Sequence, residues 1–132
     1  MEKSPFRNRV LIVDDDSSVR ETLRRLLEAA GFNVVAVHGG AEALMALRQD
    51  PTIGLMLLDL EMPDIDGLAV RRAQLDDRTI AEIPTIIVSG SRIARLDQMD
   101  LPAAEYLDKP VDRHELVAAV RRYCEPERGA TP

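Results

Sequence analysis

The stretch Leu55–Gly67 reads LMLLDLEMPDIDG, an apolar run that ends in an aspartate and passes into a segment marked by proline and glycine. Together with Ile53 and Gly54, the apolar part is typical of a strand buried on both faces, as in parallel sheets. Asp59 ends the run, so its carboxylate is predicted to lie at the carboxyl edge of the sheet, where open α/β sheets bind ligands. Taken alone, Asp59 is equally well interpreted as a surface residue that opens a turn.

Strand-like and helix-like segments alternate five times along the chain. Strands are predicted at 10–13, 34–37, 53–58, 84–88 and 105–107, and each is followed by a helix, at about 18–30, 40–50, 66–78, 91–99 and 112–123. Repeated β-α units of this length indicate a parallel sheet with helices on both faces, because their crossovers are right-handed. The predicted fold class is therefore α/β, with a doubly wound sheet.

Composition indicates one domain and disfavours several classes of protein. A chain of 132 residues buries roughly two-thirds of its unfolded surface, enough for a sizeable core. Its 23 acidic residues against 17 Lys and Arg disfavour direct nucleic-acid binding. Cys124 is the single cysteine, which excludes an internal disulfide, and no apolar run approaches the ~20 residues of a membrane span. We expect a cytoplasmic protein without membrane contact, with one domain at 8–124 and tails at 1–7 and 125–132.

Polar side chains follow four of the predicted strands: Asp14 and Asp15 the first, Asp59 the third, Ser89 the fourth and Lys109 the fifth. A parallel sheet brings such strand ends to one edge, where clustered carboxylates repel one another and favour a divalent cation. All-oxygen ligands favour Mg²⁺. We expect Asp15 and Asp59 to be its side-chain ligands, with Asp14 nearby or acting through water. The backbone carbonyl of Glu61 is a further candidate ligand.

A metal ion, a lysine and a hydroxyl around one carboxylate form a site suited to a phosphoryl group, with Asp59 as the nucleophile. Each residue also has a plainer interpretation when taken singly. Asp14 belongs to a segment that can be a turn and helix cap, Ser89 can be a turn residue, and Lys109 can be a surface lysine. Their occurrence at successive strand ends favours one site over four coincidences.

These residues resemble a known family, the receiver domains of two-component response regulators. The resemblance covers roughly residues 8–124 and rests on VLIVDDD, LMLLDLEMPDIDG, IIVSG and YLDKP, in that order and at close to the family's spacing. It implies the flavodoxin-like fold, a doubly wound five-stranded parallel sheet of order 2-1-3-4-5 with five helices.

The resemblance also implies roles for individual residues. Asp59 matches the aspartate that accepts the phosphoryl group, and Asp14 and Asp15 match the acidic pair that holds Mg²⁺. Lys109 matches the lysine that pairs with the phosphoryl group, and the bond from Lys109 to Pro110 matches one that is often cis in the family.

A switch and its partners follow from the same resemblance. Ser89 matches the hydroxyl residue that moves toward the phosphoryl group, and Tyr106 matches the aromatic residue that turns inward when it does. A half-buried core aromatic is the alternative interpretation of Tyr106. The implied donor is a phosphohistidine on a sensor histidine kinase or phosphotransfer protein, and the implied recipient of the signal is a protein effector. The protein is expected to be a monomer or a phosphorylation-dependent dimer.

The sequence departs from the family in the stretch from Ser89 to Lys109, which is about two residues shorter than usual. Pro102 confines the fourth helix to 91–99 at most, so we expect it to be short or irregular. Glu61, two residues after Asp59, can repel the phosphoryl group, position water, or be a solvated loop residue. The pairs Arg71–Arg72 and Arg121–Arg122 are predicted to lie on solvated helix faces.

Two alternative functions remain open at this level. Asp14–Ser18 superficially resembles the signature of small Mg²⁺-dependent phosphohydrolases of the haloacid dehalogenase class, in which Asp14 would be the nucleophile. A receiver-like scaffold that is never phosphorylated is the other. Because no output domain follows the last helix, a stand-alone receiver is expected, although a piece of a larger regulator has the same appearance.

Overall fold

The structure is a computed structural model that describes residues 7–61, 67–90 and 103–126. Strands and helices alternate along these ranges. In chain order they are β1 (Arg9–Val13), α1 (Ser17–Ala29), β2 (Asn33–Val37), α2 (Gly40–Gln49), β3 (Ile53–Asp59), α3 (Gly67–Asp76), β4 (Thr85–Ser89), β5 (Glu105–Asp108) and α4 (Arg113–Arg121). The predicted α/β class is confirmed.

The five strands form one parallel sheet in the order β2-β1-β3-β4-β5, which confirms the flavodoxin-like arrangement. The central strand β3 is buried along its whole length, because it has a paired neighbour on each side and helices over both faces. That environment explains its uninterrupted apolar sequence.

The core consists of two clusters, one on each face of the sheet. Alternate β3 residues separate between them, since successive side chains of a strand point to opposite faces. Leu55 and Leu57 pack in the first cluster with residues of α1 and α4. Met56 and Leu58 pack in the second with residues of α2 and α3. The helices on both faces therefore hold β3, and the aspartate at its end, in a fixed place.

Helix ends follow the local chemistry of the chain. The Asp16 carboxylate accepts hydrogen bonds from the backbone N–H groups of Ser18 and Val19 and so caps α1. After α1 the chain turns at Gly31, whose φ of 97° suits glycine best. Asp112 caps α4 by accepting from the N–H of Glu115.

Gly67 lets the start of α3 pack directly against the end of β3. A Cβ atom at this position would lie 2.6 Å from the Asp59 carbonyl oxygen and 2.8 Å from the Leu60 Cα. The Gly67 N–H also donates to the Leu60 carbonyl at 3.1 Å. Because backbone rather than a flexible side chain fills this space, a larger residue would displace the segment that carries Asp59.

Some predictions cannot be compared with the described ranges. The fourth of the five predicted helices, at 91–99, lies outside the described residues, so four helices are described. Most of each predicted tail, 1–6 and 127–132, also lies outside them, and the boundaries 8–124 remain a prediction. One prediction was wrong: Arg71 is buried, although Arg72, Arg121 and Arg122 are exposed as expected.

Candidate functional site

The predicted site residues meet at the carboxyl edge of the sheet. Asp59 ends β3 and Ser89 ends β4, whereas Asp14 directly follows β1 and Lys109 directly follows β5. These four strands are neighbours, and their registers bring the ends level, with Val13 beside Leu58, Asp59 beside Val88 and Ser89 beside Asp108. The arrangement follows from parallel strands of matching register, which carry their carboxyl ends to the same side.

Three carboxylates form the acidic part of the site. Asp14, Asp15 and Asp59 each offer an oxygen atom, and these atoms all lie within 4.8 Å of one another. Asp14 and Asp59 are only 3% exposed, whereas Asp15 faces solvent. Burial raises the pKa of Asp14, and the neighbouring Asp59 and Asp15 carboxylates raise it further, although a hydrogen bond from the Asp16 N–H and the Lys109 ammonium oppose the shift. The cluster thus gathers negative charge that a hard cation would balance.

Among the described residues, Lys109 supplies the positive charge of the site. Its ammonium lies 2.8 Å from Asp59 Oδ1 and 3.5 Å from Glu61 Oε2. Burial acts to lower the pKa of Lys109, but the hydrogen bond to Asp59 and the surrounding carboxylates outweigh it and raise the pKa. The Lys109–Pro110 peptide bond is cis, as the family resemblance implies. Asp59 therefore has a charged hydrogen-bond partner at its buried oxygen.

Glu61 forms the remaining part of the site through its side chain. Its carboxylate accepts a hydrogen bond from Ser89 Oγ at 3.0 Å and from the Gly90 N–H, at 3.2 Å to one oxygen and 3.3 Å to the other. Its own N–H donates to Asp59 Oδ1 at 3.2 Å. Partial burial acts to raise the pKa of the Glu61 carboxyl, but the bonds from Gly90 and Ser89, with Lys109 nearby, lower it.

Sequence reasoning missed these contacts of Glu61 and the donor at Gly90. The interpretation of Glu61 as a solvated loop residue is incomplete, because its side chain is 43% exposed yet bound at its carboxylate. The signal was available in IIVSG, where the strand ends at the serine and the next residue carries a backbone N–H that can donate to an acceptor at the edge. The role of the Glu61 backbone carbonyl as a metal ligand stays a prediction.

Tyr106 lies one strand away from the acidic cluster. It is half-buried on β5, beside Ile87 of β4. It also lies close to the buried Arg71, whose pKa is lowered by burial and raised in part by Tyr106. The structure thus places Tyr106 on the strand that ends next to Ser89, and it does not bring the ring into the carboxylate cluster.

A groove of about 320 Å³ opens beside the site, between α1 and the segment that follows β5. Asp14 and Lys109 are among its polar lining residues, and Val19, Leu26 and Val111 are among its apolar ones. Val19 is 38% exposed, one of two large apolar side chains that stand exposed in the described part of the chain. The groove gives the charged site an apolar border.

Comparisons with known proteins agree on one family. The family described as "Response regulator receiver domain" matches residues 10–121. The transcriptional regulatory protein CpxR of Escherichia coli (strain K12) is 40% identical over 116 residues, which are 86% of this chain and 48% of CpxR. The response regulator MprA of Mycobacterium bovis (strain BCG / Pasteur 1173P2) is 40% identical over 127 residues, 92% of this chain and 54% of MprA. The chain spans about half the length of these curated relatives.

Solved structures give the same result. A response regulator receiver protein from Pseudomonas putida superposes with a TM-score of 0.82 at 35% identity, covering 88% of this chain and 97% of that one. Within the described ranges, no helix has both the length and the apolar character needed to cross a membrane.

Proposed function

Because this chain belongs to the response regulator receiver domain family, we propose that it accepts a phosphoryl group on Asp59 from the phosphohistidine of a histidine kinase or phosphotransfer protein. One observation carries the proposal. The Asp59 carboxylate is buried at the carboxyl edge, with the Lys109 ammonium 2.8 Å from one oxygen and two further carboxylates beside it. A signalling role fits this site better than turnover of a small substrate, since the nucleophile itself would retain the group.

The acidic cluster fits a resident Mg²⁺ ion. Asp14, Asp15 and Asp59 supply oxygen ligands, which Mg²⁺ prefers, and burial of two of them leaves charge that the single lysine does not balance. We propose these three as its side-chain ligands, with the Glu61 backbone carbonyl as a fourth. When bound, the ion neutralises charge on the phosphoryl oxygens.

Asp59, Lys109 and Glu61 have separate proposed roles in the transfer of the phosphoryl group. An oxygen of Asp59 bonds to phosphorus as the phosphorus–nitrogen bond of the phosphohistidine breaks and the imidazole leaves. Both the Lys109 ammonium and the Glu61 N–H donate to Asp59 Oδ1, so we assign Oδ2 as the attacking atom. Lys109 lies where it can pair with negative charge that develops on the transferred group.

The switch is proposed to start at Ser89. Its hydroxyl lies at the site edge of β4, and it can donate to a phosphoryl group on Asp59. Tyr106, one strand away, would then turn inward and change the surface that a protein effector contacts, a shift between two populations driven by the new contact. Loss of the phosphoryl group by hydrolysis at the same site would reset it.

The groove beside α1 is the surface where we propose that the phosphoryl donor docks. A donor must reach Asp59 from the carboxyl edge, and the exposed Val19 lies on the apolar border of that approach. Val19→Glu is expected to slow transfer from a kinase that labels the wild type, while labelling by acetyl phosphate is unchanged. Met45→Glu on α2 is a matched control, because Met45 is 56% exposed and does not line the groove.

Intact-mass spectrometry after incubation with Mg²⁺ and acetyl phosphate tests the central proposal. The wild type is expected to gain the mass of one phosphoryl group, and Asp59→Asn is expected to gain none. No adduct on the wild type, under conditions that label a known receiver, would favour a scaffold function. An adduct that persists in Asp59→Asn would place the nucleophile elsewhere, with Asp14 as the next candidate.

A further inference from the structure

We infer that the Glu61 carboxylate takes the place of the phosphoryl oxygens in the unphosphorylated protein and must leave before Asp59 can hold a phosphoryl group. The inference rests on the proposed function and adds an internal contact that slows phosphorylation of Asp59. Glu61 binds the hydroxyl of Ser89 and the N–H of Gly90, and it lies 3.5 Å from the Lys109 ammonium. All three donors lie at the same edge of the sheet as Asp59, at the ends of β4 and β5.

The two hydrogen-bonding donors cannot serve both acceptors at once. A serine hydroxyl and a backbone N–H each carry one proton, and both protons point at the Glu61 carboxylate. A phosphoryl group on Asp59 would bring three oxygen acceptors to the same place. It can bind Ser89 and Gly90 only after Glu61 has released them, so the internal contact and the phosphorylated state are mutually exclusive.

The position of Glu61 makes this competition specific. Its backbone N–H is hydrogen-bonded to Asp59 Oδ1 at 3.2 Å, which ties the start of the Glu61 side chain to the nucleophile. Its carboxylate then reaches across from the end of β3 to the end of β4. The side chain is 43% exposed, so it can swing into water without rearranging the core. The contact is therefore an internal latch that can be displaced.

The latch has a consequence for the rate of phosphorylation. With acetyl phosphate, an oxygen of Asp59 bonds to phosphorus while the bond from phosphorus to the acetyl oxygen breaks and acetate leaves. That step is expected to be slower in the wild type than in a variant without the Glu61 carboxylate. In the wild type, the donors that would bind the transferred group are hydrogen-bonded to Glu61. Removing the carboxylate in Glu61→Ala is expected to raise the phosphorylation rate about fivefold, or ~1 kcal/mol.

Repulsion between Glu61 and an anionic donor would also slow phosphorylation, and a pair of variants separates the two causes. Glu61→Asp keeps the charge but shortens the side chain by one methylene, so it cannot span to Ser89 and Gly90. The latch predicts that Glu61→Asp is nearly as fast as Glu61→Ala. Repulsion alone predicts that it stays as slow as the wild type, and that result would overturn the inference.

Two further variants complete the set. Glu61→Gln keeps the reach with a neutral acceptor, which binds its donors less strongly, so its rate is expected to lie between the wild type and Glu61→Ala. Glu42→Gln removes a carboxylate on α2 that lies 3.8 Å from His38 and is not part of the site, so this variant is expected to phosphorylate at the wild-type rate. A Glu42→Gln rate as fast as that of Glu61→Ala would reduce the effect to net charge and overturn the latch.

A readout that needs no phosphorylation is the amide signal of Gly90 in NMR spectra. The latch predicts faster hydrogen exchange of this amide in Glu61→Ala and Glu61→Asp than in the wild type. Unchanged exchange would overturn the contact itself. If the wild type takes up no phosphoryl group, the proposed function fails while the Gly90 amide still tests the latch. If the wild type is labelled and Glu61→Ala is no faster, the latch alone fails.

Discussion

The two ends of β4 carry two buried polar clusters of opposite character. At the amino end, Thr85, Arg71 and Gln74 are joined by hydrogen bonds, and each is at most 6% exposed. At the carboxyl end, Ser89 borders a cluster in which carboxylates gather around Lys109. Burial of either cluster costs free energy, because polar and charged groups leave water. Only the second cluster also brings like charges together.

The difference separates a structural cluster from a functional one. Gln74 accepts from Arg71 and Thr85 through its carbonyl oxygen, and its amide donates to the carbonyls of Ile80 and Ile83. Those bonds hold the turn between α3 and β4 with the partners inside the protein. The carboxyl end holds Asp14 at a raised pKa instead, an unfavourable arrangement that a ligand from outside would relieve.

Gln74→Leu is expected to have the largest effect on stability. It removes the hub of the amino-end cluster, takes the amide donor from the Ile80 and Ile83 carbonyls and takes one acceptor from the Arg71 guanidinium, at a cost of about 3 kcal/mol in the free energy of unfolding. Urea denaturation measures this loss. Arg72→Ala, at the exposed neighbouring position, is the control and should change stability by less than ~0.5 kcal/mol. Comparable losses in both variants would contradict the structural role of the cluster.

Mg²⁺ is expected to stabilise the protein through the carboxyl-end cluster alone. An ion that binds only the folded state adds about 2.7 kcal/mol at a concentration one hundred times its Kd. Thermal unfolding with and without Mg²⁺ should show this gain in the wild type and in Gln74→Leu, and a smaller one in Asp59→Asn. An equal gain in Asp59→Asn would place the ion outside the carboxylates.

Asp14→Asn is expected to stabilise the metal-free protein by about 1 kcal/mol at neutral pH, as removal of a strained functional group often does. The pKa of Asp14 is raised by folding, so its ionisation opposes folding above the unfolded value near 4. The gain should therefore disappear as the pH falls below ~4, where Asp14 is protonated in both states. Urea denaturation from pH 7 to pH 3 measures it, and a gain independent of pH would contradict the electrostatic cause.

Asp77 offers a half-buried comparison away from both clusters and the smallest expected effect. It accepts from Arg48 Nε at 2.8 Å and from the hydroxyl and N–H of Thr79, and these bonds lower its pKa to about 2. A lowered pKa stabilises the fold above the unfolded value near 4 and loses that contribution as the pH falls toward 2. The stability difference between the wild type and Asp77→Asn should shrink over this range. A difference that grows instead would show that the bonds do not depend on the charge.

Much of the fold was predictable because the same local pattern, an apolar strand followed by an amphipathic helix, repeats along the sequence. The buried run before Asp59 and the alternating β-α segments indicate the parallel sheet, and matching strand ends place Asp14, Ser89 and Lys109 beside it. The strand order came from the family resemblance, since periodicity alone does not order strands. Arg71 shows where local patterns fail, because its burial depends on a hydrogen bond to Thr85, which lies on β4 and not on the helix that carries Arg71.

The sequence by itself determined the class of the fold, the edge at which the site lies and the residues that meet there. Apolar strands with polar ends can be buried in few other ways. Only the tertiary structure decided what those residues contact. The reach of Glu61 from the end of β3 to Ser89 and Gly90 joins residues that are 28 and 29 positions apart in the chain. No local pattern encodes that contact, because it depends on the pairing and register of β3 and β4, which the backbone hydrogen bonds of the sheet fix.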